Sequence, residues 1–216
     1  MLTLYHCHDA RSFRPLWTLE EMGLSYELKM LPFPPRAAVP DYLTVNPLGT
    51  VPTFFDGNMR MTESAAICQY LVTRYGPTPL AVETSEPDFG PYLNWLYFGE
   101  ATLTFPQTLV LRYTELEPEE RRNPQVASDY AKWFFGRLRA VEAAAAKNEM
   151  LCAGRFTAAD ISVGYALLLA QRLGLSKDFG PAVAAYWQRL QARDGFRRAV
   201  EAENLASDQQ KVARRP

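Results

Sequence analysis

The stretch Asn46-Pro47-Leu48-Gly49-Thr50-Val51-Pro52-Thr53-Phe54-Phe55 constrains this chain more than any other. Pro52 stands directly before an apolar run. Cis peptide bonds are almost confined to X-Pro and mark tight turns, so a cis Val51-Pro52 bond fits a turn that feeds a strand. Such a turn leaves the N–H and C=O of Val51 outside the sheet, where an extended peptide can pair with them as an added strand. Thr53–Phe55 and Met59–Met61 flank Asp56-Gly57-Asn58, a hairpin signal. Glu63-Ser64 then opens a helix expected to run to about Tyr75 and to stop at Gly76-Pro77. Free amides and the positive dipole end at such a start suit an anion, and the Glu63 carboxylate suits an amine. A small peptide with a free α-amino and a free α-carboxylate group matches all three features.

These segments resemble the glutathione transferase superfamily. Its patterns NPxGxVP and xxESxAIxxYL read here as Asn46–Pro52 and as Thr62-Glu63-Ser64-Ala65-Ala66-Ile67-Cys68-Gln69-Tyr70-Leu71. The opening matches as well, in Leu4-Tyr5, Arg14-Pro15-Leu16-Trp17 and Leu19-Glu20-Glu21-Met22-Gly23-Leu24. The resemblance runs from the first residue to roughly Gly195. It implies glutathione as co-substrate, with Val51 and Pro52 on its backbone, Thr50 near its glycine end, and Glu63 and Ser64 on the α-amino and α-carboxylate groups of its γ-glutamyl end. It also implies a homodimer with clefts at the interface and a hydrophobic electrophile as second substrate.

The chemistry of such a site turns on the thiol, because the thiolate is the nucleophile and a free thiol is mostly protonated at neutral pH. In the Ser-type and Cys-type classes the active residue lies four or five positions before the Arg matched by Arg14. Those positions are Ala10 and Asp9, neither a hydroxyl nor a thiol. Three sources of thiolate stabilisation stay open: the Ser12 hydroxyl, the Arg11 charge, and the backbone amides of residues 10 to 12 at the start of a helix. Asp9 would repel a thiolate and is expected to face away. Tyr5 is read as a core residue. His6-Cys7-His8 invites a metal reading, but strand neighbours alternate sides and only Asp9 is nearby to complete a ligand set, so no metal is expected.

The order of elements fits the resemblance. Leu2 and Leu4 alternate with Thr3 and Tyr5 as in a short strand. Phe13, Leu16, Trp17, Leu19 and Met22 recur at helical spacing, with Ser12 placed to cap, Pro15 in the first turn and Gly23 at the end. Tyr26 to Met30 reads as a second strand, and Leu31 to Pro40, with four prolines, as an irregular loop. The sequence β-α-β followed by β-β-α is that of a thioredoxin-like domain, assigned to residues 1–76. Residues 77–87 read as a linker and 88–216 as an all-helical domain carrying a hydrophobic substrate pocket. There the spacing predicts helices over Tyr92–Tyr113, Asp129–Lys147, Ile161–Leu173 and Pro181–Arg193, the last closed near Gly195. Thr157-Ala158-Ala159-Asp160 is a capping box variant of structural role. Tyr97, Phe98, Thr104, Phe105, Leu109 and Tyr113 supply candidate linings for the electrophile pocket.

Bulk properties narrow the partners. Formal net charge is −1, so no global field favours nucleic acid or an anionic membrane. No apolar run is long enough to span a bilayer, and Met1-Leu2-Thr3-Leu4-Tyr5 lacks the basic start of a secretion signal. Cys7, Cys68 and Cys152 are odd in number and widely spaced, which fits a reducing, cytoplasmic setting. The basic tail Lys211-Val212-Ala213-Arg214-Arg215 is read as solvated. The chain is therefore expected to be a cytoplasmic glutathione transferase, conjugating glutathione to hydrophobic electrophiles without metal or redox cofactor. A glutathione-dependent isomerase or dehalogenase, and a non-catalytic glutathione-binding protein, are the alternatives.

Overall fold

The computed structural model describes residues 1–213. The chain divides into two compact units, one of Met1–Ala81 together with the segment from Gln191 onward, the other of Val82–Leu190.

The first unit is built on a four-stranded sheet of order β2-β1-β3-β4, from β1 (Leu2–His6), β2 (Tyr26–Met30), β3 (Thr53–Asp56) and β4 (Met59–Met61). β1 pairs parallel with β2 and antiparallel with β3, and β3 and β4 form the hairpin read from Asp56-Gly57-Asn58. Helix α1 (Phe13–Met22) connects β1 to β2 and ends at Gly23, whose φ of 64° is left-handed as a C-terminal glycine requires. This is a thioredoxin-like unit. Its core joins Leu2 and Leu4 of β1, Phe13, Leu16, Trp17 and Leu19 of α1, Phe54 of β3, and Ile67 and Leu71 of α4 (Ser64–Arg74).

Two local expectations give way. The proline-rich segment Leu31–Pro40 contains a short helix α2 (Pro35–Ala38), begun by Pro35 in a position where proline costs no hydrogen bond, and a second short helix α3 (Tyr42–Val45) follows it. Ser12 does not cap α1 with its side chain. It adopts helical dihedrals, and its hydroxyl instead accepts from the Cys7 amide at 3.4 Å.

The second unit is helical: α5 (Phe89–Tyr97), α6 (Phe105–Leu111), α7 (Pro124–Ala145), α8 (Ala158–Arg172) and α9 (Pro181–Gln191), the last reaching one residue past the unit's edge. The helix expected over Tyr92–Tyr113 is continuous in path but not in type, because Phe98–Thr104 and Arg112–Leu116 are π-helical. Within the first of these, a Cβ on Gly99 would lie 2.5 Å from Ser162, so glycine is what lets the chain approach α8 so closely. α8 is the centre of the unit and is buried almost throughout. Asp160 holds its start by accepting from the amides of Thr157 (2.8 Å) and Leu151 (3.0 Å) and from the Tyr186 hydroxyl (2.8 Å). α7 begins earlier than read, at Pro124, with the Asn123 side chain accepting from the Val126 amide.

Helix α10 (Asp194–Gln210) continues beyond Gly195 and belongs to the first unit, where it packs on α1 and β2. Phe196 meets the rings of Phe13 and Trp17 with centroids 5.5 and 5.0 Å away, and Arg193 makes a two-pronged ion pair with Glu21. No helix among the described residues is long and apolar enough to cross a membrane. Arg214 and Arg215 of the basic tail lie outside the described residues.

Candidate functional site

Three segments of the first unit converge. The turn leading into α1 and the turn before β3 share one buried cluster, formed by Cys7, Ala10, Tyr42 and Val51. α1 and α4 are joined where the Arg14 guanidinium donates to the Ser64 hydroxyl at 3.2 Å, with Arg14 fully buried.

The Val51 turn is fixed from behind. The Val51-Pro52 bond is cis, and Val51 precedes the first residue of β3 by two positions. Its N–H and C=O have no hydrogen-bond partner among the described residues. The carbonyl before it, that of Thr50, accepts from the Asn46 amide (2.9 Å) and the Tyr42 hydroxyl (2.8 Å). Gly49 sits at φ 61°, and a Cβ there would lie 2.6 Å from the Arg36 Cβ, so only glycine suits the turn. The motif's Asn and Gly thus do the same work: they lock the backbone on one side of Val51 and leave its polar groups open on the other.

α4 begins at Ser64, and its first intrahelical bond runs from the Ile67 amide to the Glu63 carbonyl at 2.9 Å. The amides of its first turn are therefore left over, as at every helix start. Ser64 is buried and Glu63 exposed. The Arg14 charge stands behind the Ser64 hydroxyl.

At the third segment, the Ala10 amide donates to the Cys7 carbonyl (3.1 Å) and the Phe13 amide to the Ala10 carbonyl (2.8 Å). Asp9 is left-handed, at φ 54°, a conformation Asp tolerates better than most residues. Its carboxylate lies 3.2 Å from His8 Nδ1. The Asp9 carboxylate, helped by Glu203 and opposed by partial burial, raises the His8 pKa to about 9. Donor atoms of His8, Asp9 and Glu203 lie within 4.8 Å of one another, a spacing a metal ion could bridge. Glu203 Oε2 lies 2.9 Å from His6 Nε2 and accepts from the Asp9 amide. The cluster reads as a charge network.

This fold has known counterparts. Residues 1–73 match the family model described as glutathione S-transferase, N-terminal domain. Glutathione S-transferase 3 of Schizosaccharomyces pombe is 29% identical over 214 residues, covering 93% of this chain and 87% of that protein. A glutathione transferase of Methylococcus capsulatus superposes with a TM-score of 0.84 at 26% identity, covering 95% of this chain and all of that one. The glutathione transferase URE2P6 of Phanerochaete chrysosporium, solved with oxidized glutathione, gives a TM-score of 0.83 at 28% identity over 95% of this chain and 97% of its own. The chain belongs to the glutathione transferase superfamily. It is a transferase-like enzyme.

In this superfamily member the residues singled out from the sequence fall into two groups. Thr50, Val51, Pro52, Glu63 and Ser64 sit on the two backbone features just described, with Thr50 and Glu63 exposed and Val51, Pro52 and Ser64 buried. Arg11 is partly exposed, whereas Ser12 is fully buried with its hydroxyl turned to the Cys7 amide. Ser12 therefore shapes the turn from within. Sequence reading overlooked three residues here. Arg14 was visible only as part of a motif, Tyr42 as an aromatic in a loop, and Glu203 as one acid among many on a polar segment.

Proposed function

We propose that this transferase binds glutathione across the three convergent segments and adds its thiolate to hydrophobic electrophiles. The observation that carries the reading is the pairing of an unpartnered Val51 backbone with the Ser64 start of α4, both tied to the turn before α1. The Val51 N–H and C=O pair with the cysteinyl backbone of the tripeptide. Ser64 and the leftover amides of α4, backed by the Arg14 charge, take the γ-glutamyl α-carboxylate. Glu63 takes the α-amino group, and Thr50 stands near the glycine end.

The thiol falls to the Ala10–Ser12 segment. Ala10 packs beside Val51, and the backbone there runs into the N-terminal end of α1. The helix dipole and the amides that follow Ala10, whose own amide is taken by the Cys7 carbonyl, stabilise the thiolate, Arg11 adds positive charge, and Ser12 holds the turn in shape. The pairing of Asp9 with His8 supports this assignment, since it gives the one carboxylate of the segment a cation of its own. Activation of the thiol and proximity to the electrophile then suffice for conjugation, without metal or redox cofactor. The reading extends to a cytoplasmic homodimer.

Calorimetry with glutathione, followed by spectroscopic titration of the bound thiol and a panel of hydrophobic electrophiles, tests it. Micromolar-to-millimolar binding, a thiol pKa below that of free glutathione and turnover of at least one electrophile class are expected. Binding with an unchanged thiol pKa defeats the conjugation reading.

A further inference from the structure

We propose that Glu203, on the C-terminal helix α10, is a positioning residue for the turn that holds the thiolate. The inference rests on the reading that the glutathione thiol sits at residues 10–12. Glu203 is 2% exposed, and a buried carboxylate is costly unless donors surround it. Here they do. His6 Nε2 lies 2.9 Å from Oε2, the Asp9 amide donates to the same oxygen at 3.3 Å, and His8 Nε2 lies 3.8 Å from Oε1. The next residue, Asn204, brings its Oδ1 within 3.2 Å of His8 Nε2.

All three of those donors belong to the four residues that end β1 and start the turn. His6 is the last residue of the strand, His8 follows it, and Asp9 is the left-handed residue that redirects the chain. One carboxylate, nearly 200 positions away in sequence, therefore fixes where the strand stops and where the left-handed step begins. From that step follow the Ala10-to-Cys7 bond and the direction of the next amides into α1. Amides stabilise an anion only when they are aimed at it in advance. Glu203 does not touch the ligand; it sets the aim. The bonds to His8 from Asp9 and Asn204 complete the arrangement by holding the imidazolium against the turn's own acid.

The test compares wild type, Glu203→Leu and Glu203→Gln for glutathione affinity, bound-thiol pKa and the split between KM and kcat. Glu203→Leu is expected to keep the glutathione KM within about threefold while raising the bound-thiol pKa by about one unit, a roughly tenfold loss of thiolate near neutral pH. Glu203→Gln keeps an acceptor for the Asp9 amide and is expected to restore most of that loss. An unchanged thiol pKa in Glu203→Leu overturns the proposal, as does a loss confined to KM. Wild type that binds no glutathione overturns the functional reading and this inference with it. Hydrogen exchange of the Asp9 amide in wild type gives an answer even when Glu203→Leu fails to fold. Strong protection is expected, and exchange at the rate of an open loop refutes the tether.

Discussion

The Arg14 guanidinium donates to the Ser64 hydroxyl across 3.2 Å, and neither side chain is more than 3% exposed. The Arg14 guanidinium places positive charge behind that hydroxyl, which suits a negative group arriving there from outside. Ser64→Ala and Glu63→Ala are each expected to weaken glutathione affinity by about 1–3 kcal/mol, the scale of a charged hydrogen bond. Arg14→Lys keeps the charge but not the planar fork. It is expected to weaken glutathione more than an analogue lacking the γ-glutamyl carboxylate. Calorimetry on folded variants checks both, and equal losses for the two ligands would detach Arg14 from the carboxylate.

Ser12 offers a sharper contrast. A dedicated oxyanion donor, once removed, costs roughly a hundredfold or more in turnover. The Ser12 hydroxyl is buried and engaged with the Cys7 amide, so Ser12→Ala is expected to lower kcat/KM by less than that. A collapse of kcat with affinity intact would make Ser12 the donor itself.

His8 links stability to pH. Its folded pKa, about 9, lies above the ordinary value of 6.5, chiefly because the Asp9 carboxylate adjoins it. The folded state thus binds the proton more tightly than the unfolded state does. The stabilisation is complete below about pH 6.5 and is lost as pH rises through about 9. Denaturant unfolding between pH 6 and pH 10 should show this decline in wild type and a flatter profile in His8→Gln.

Asp160 secures the start of α8. It accepts from two amides and two hydroxyls in a site closed to solvent, and burial raises its pKa. Asp160→Ala leaves four buried donors without this acceptor, which should cost on the order of 3 kcal/mol or more. Thermal unfolding of the variant measures the loss, and a change within a few tenths of a kcal/mol would contradict the role.

The sequence was most legible where one residue type has one physical use. Gly23, Asp56-Gly57 and Val51-Pro52 mark turns that appear where they are read. α10 escaped because its buried stripe, Gly195, Phe196, Ala199, Glu203, Ala206 and Ser207, has helical spacing but includes a carboxylate and a hydroxyl. A hydrophobic period cannot reveal a face that buries a carboxylate. The same reason hid the candidate site's support: Glu203 gains its meaning from His6 and Asp9, and pairings so distant leave no local pattern. Ser12 was misread as a cap for the opposite reason, since its position fits the rule and only its actual partner, the Cys7 amide, excludes it.

β2 is one of the two edge strands of the sheet, and Gln210 at the end of α10 closes part of it. Its side-chain oxygen accepts from the Met30 amide at 2.9 Å and its nitrogen donates to the Leu28 carbonyl at 2.8 Å. One glutamine thus imitates one residue of a neighbouring strand. An open strand edge recruits other chains, so a protein shortened before Gln210 would expose the bonds by which sheets grow between molecules. The last turn of this helix acts as a selvage, the finished border that keeps a woven edge from taking up further thread.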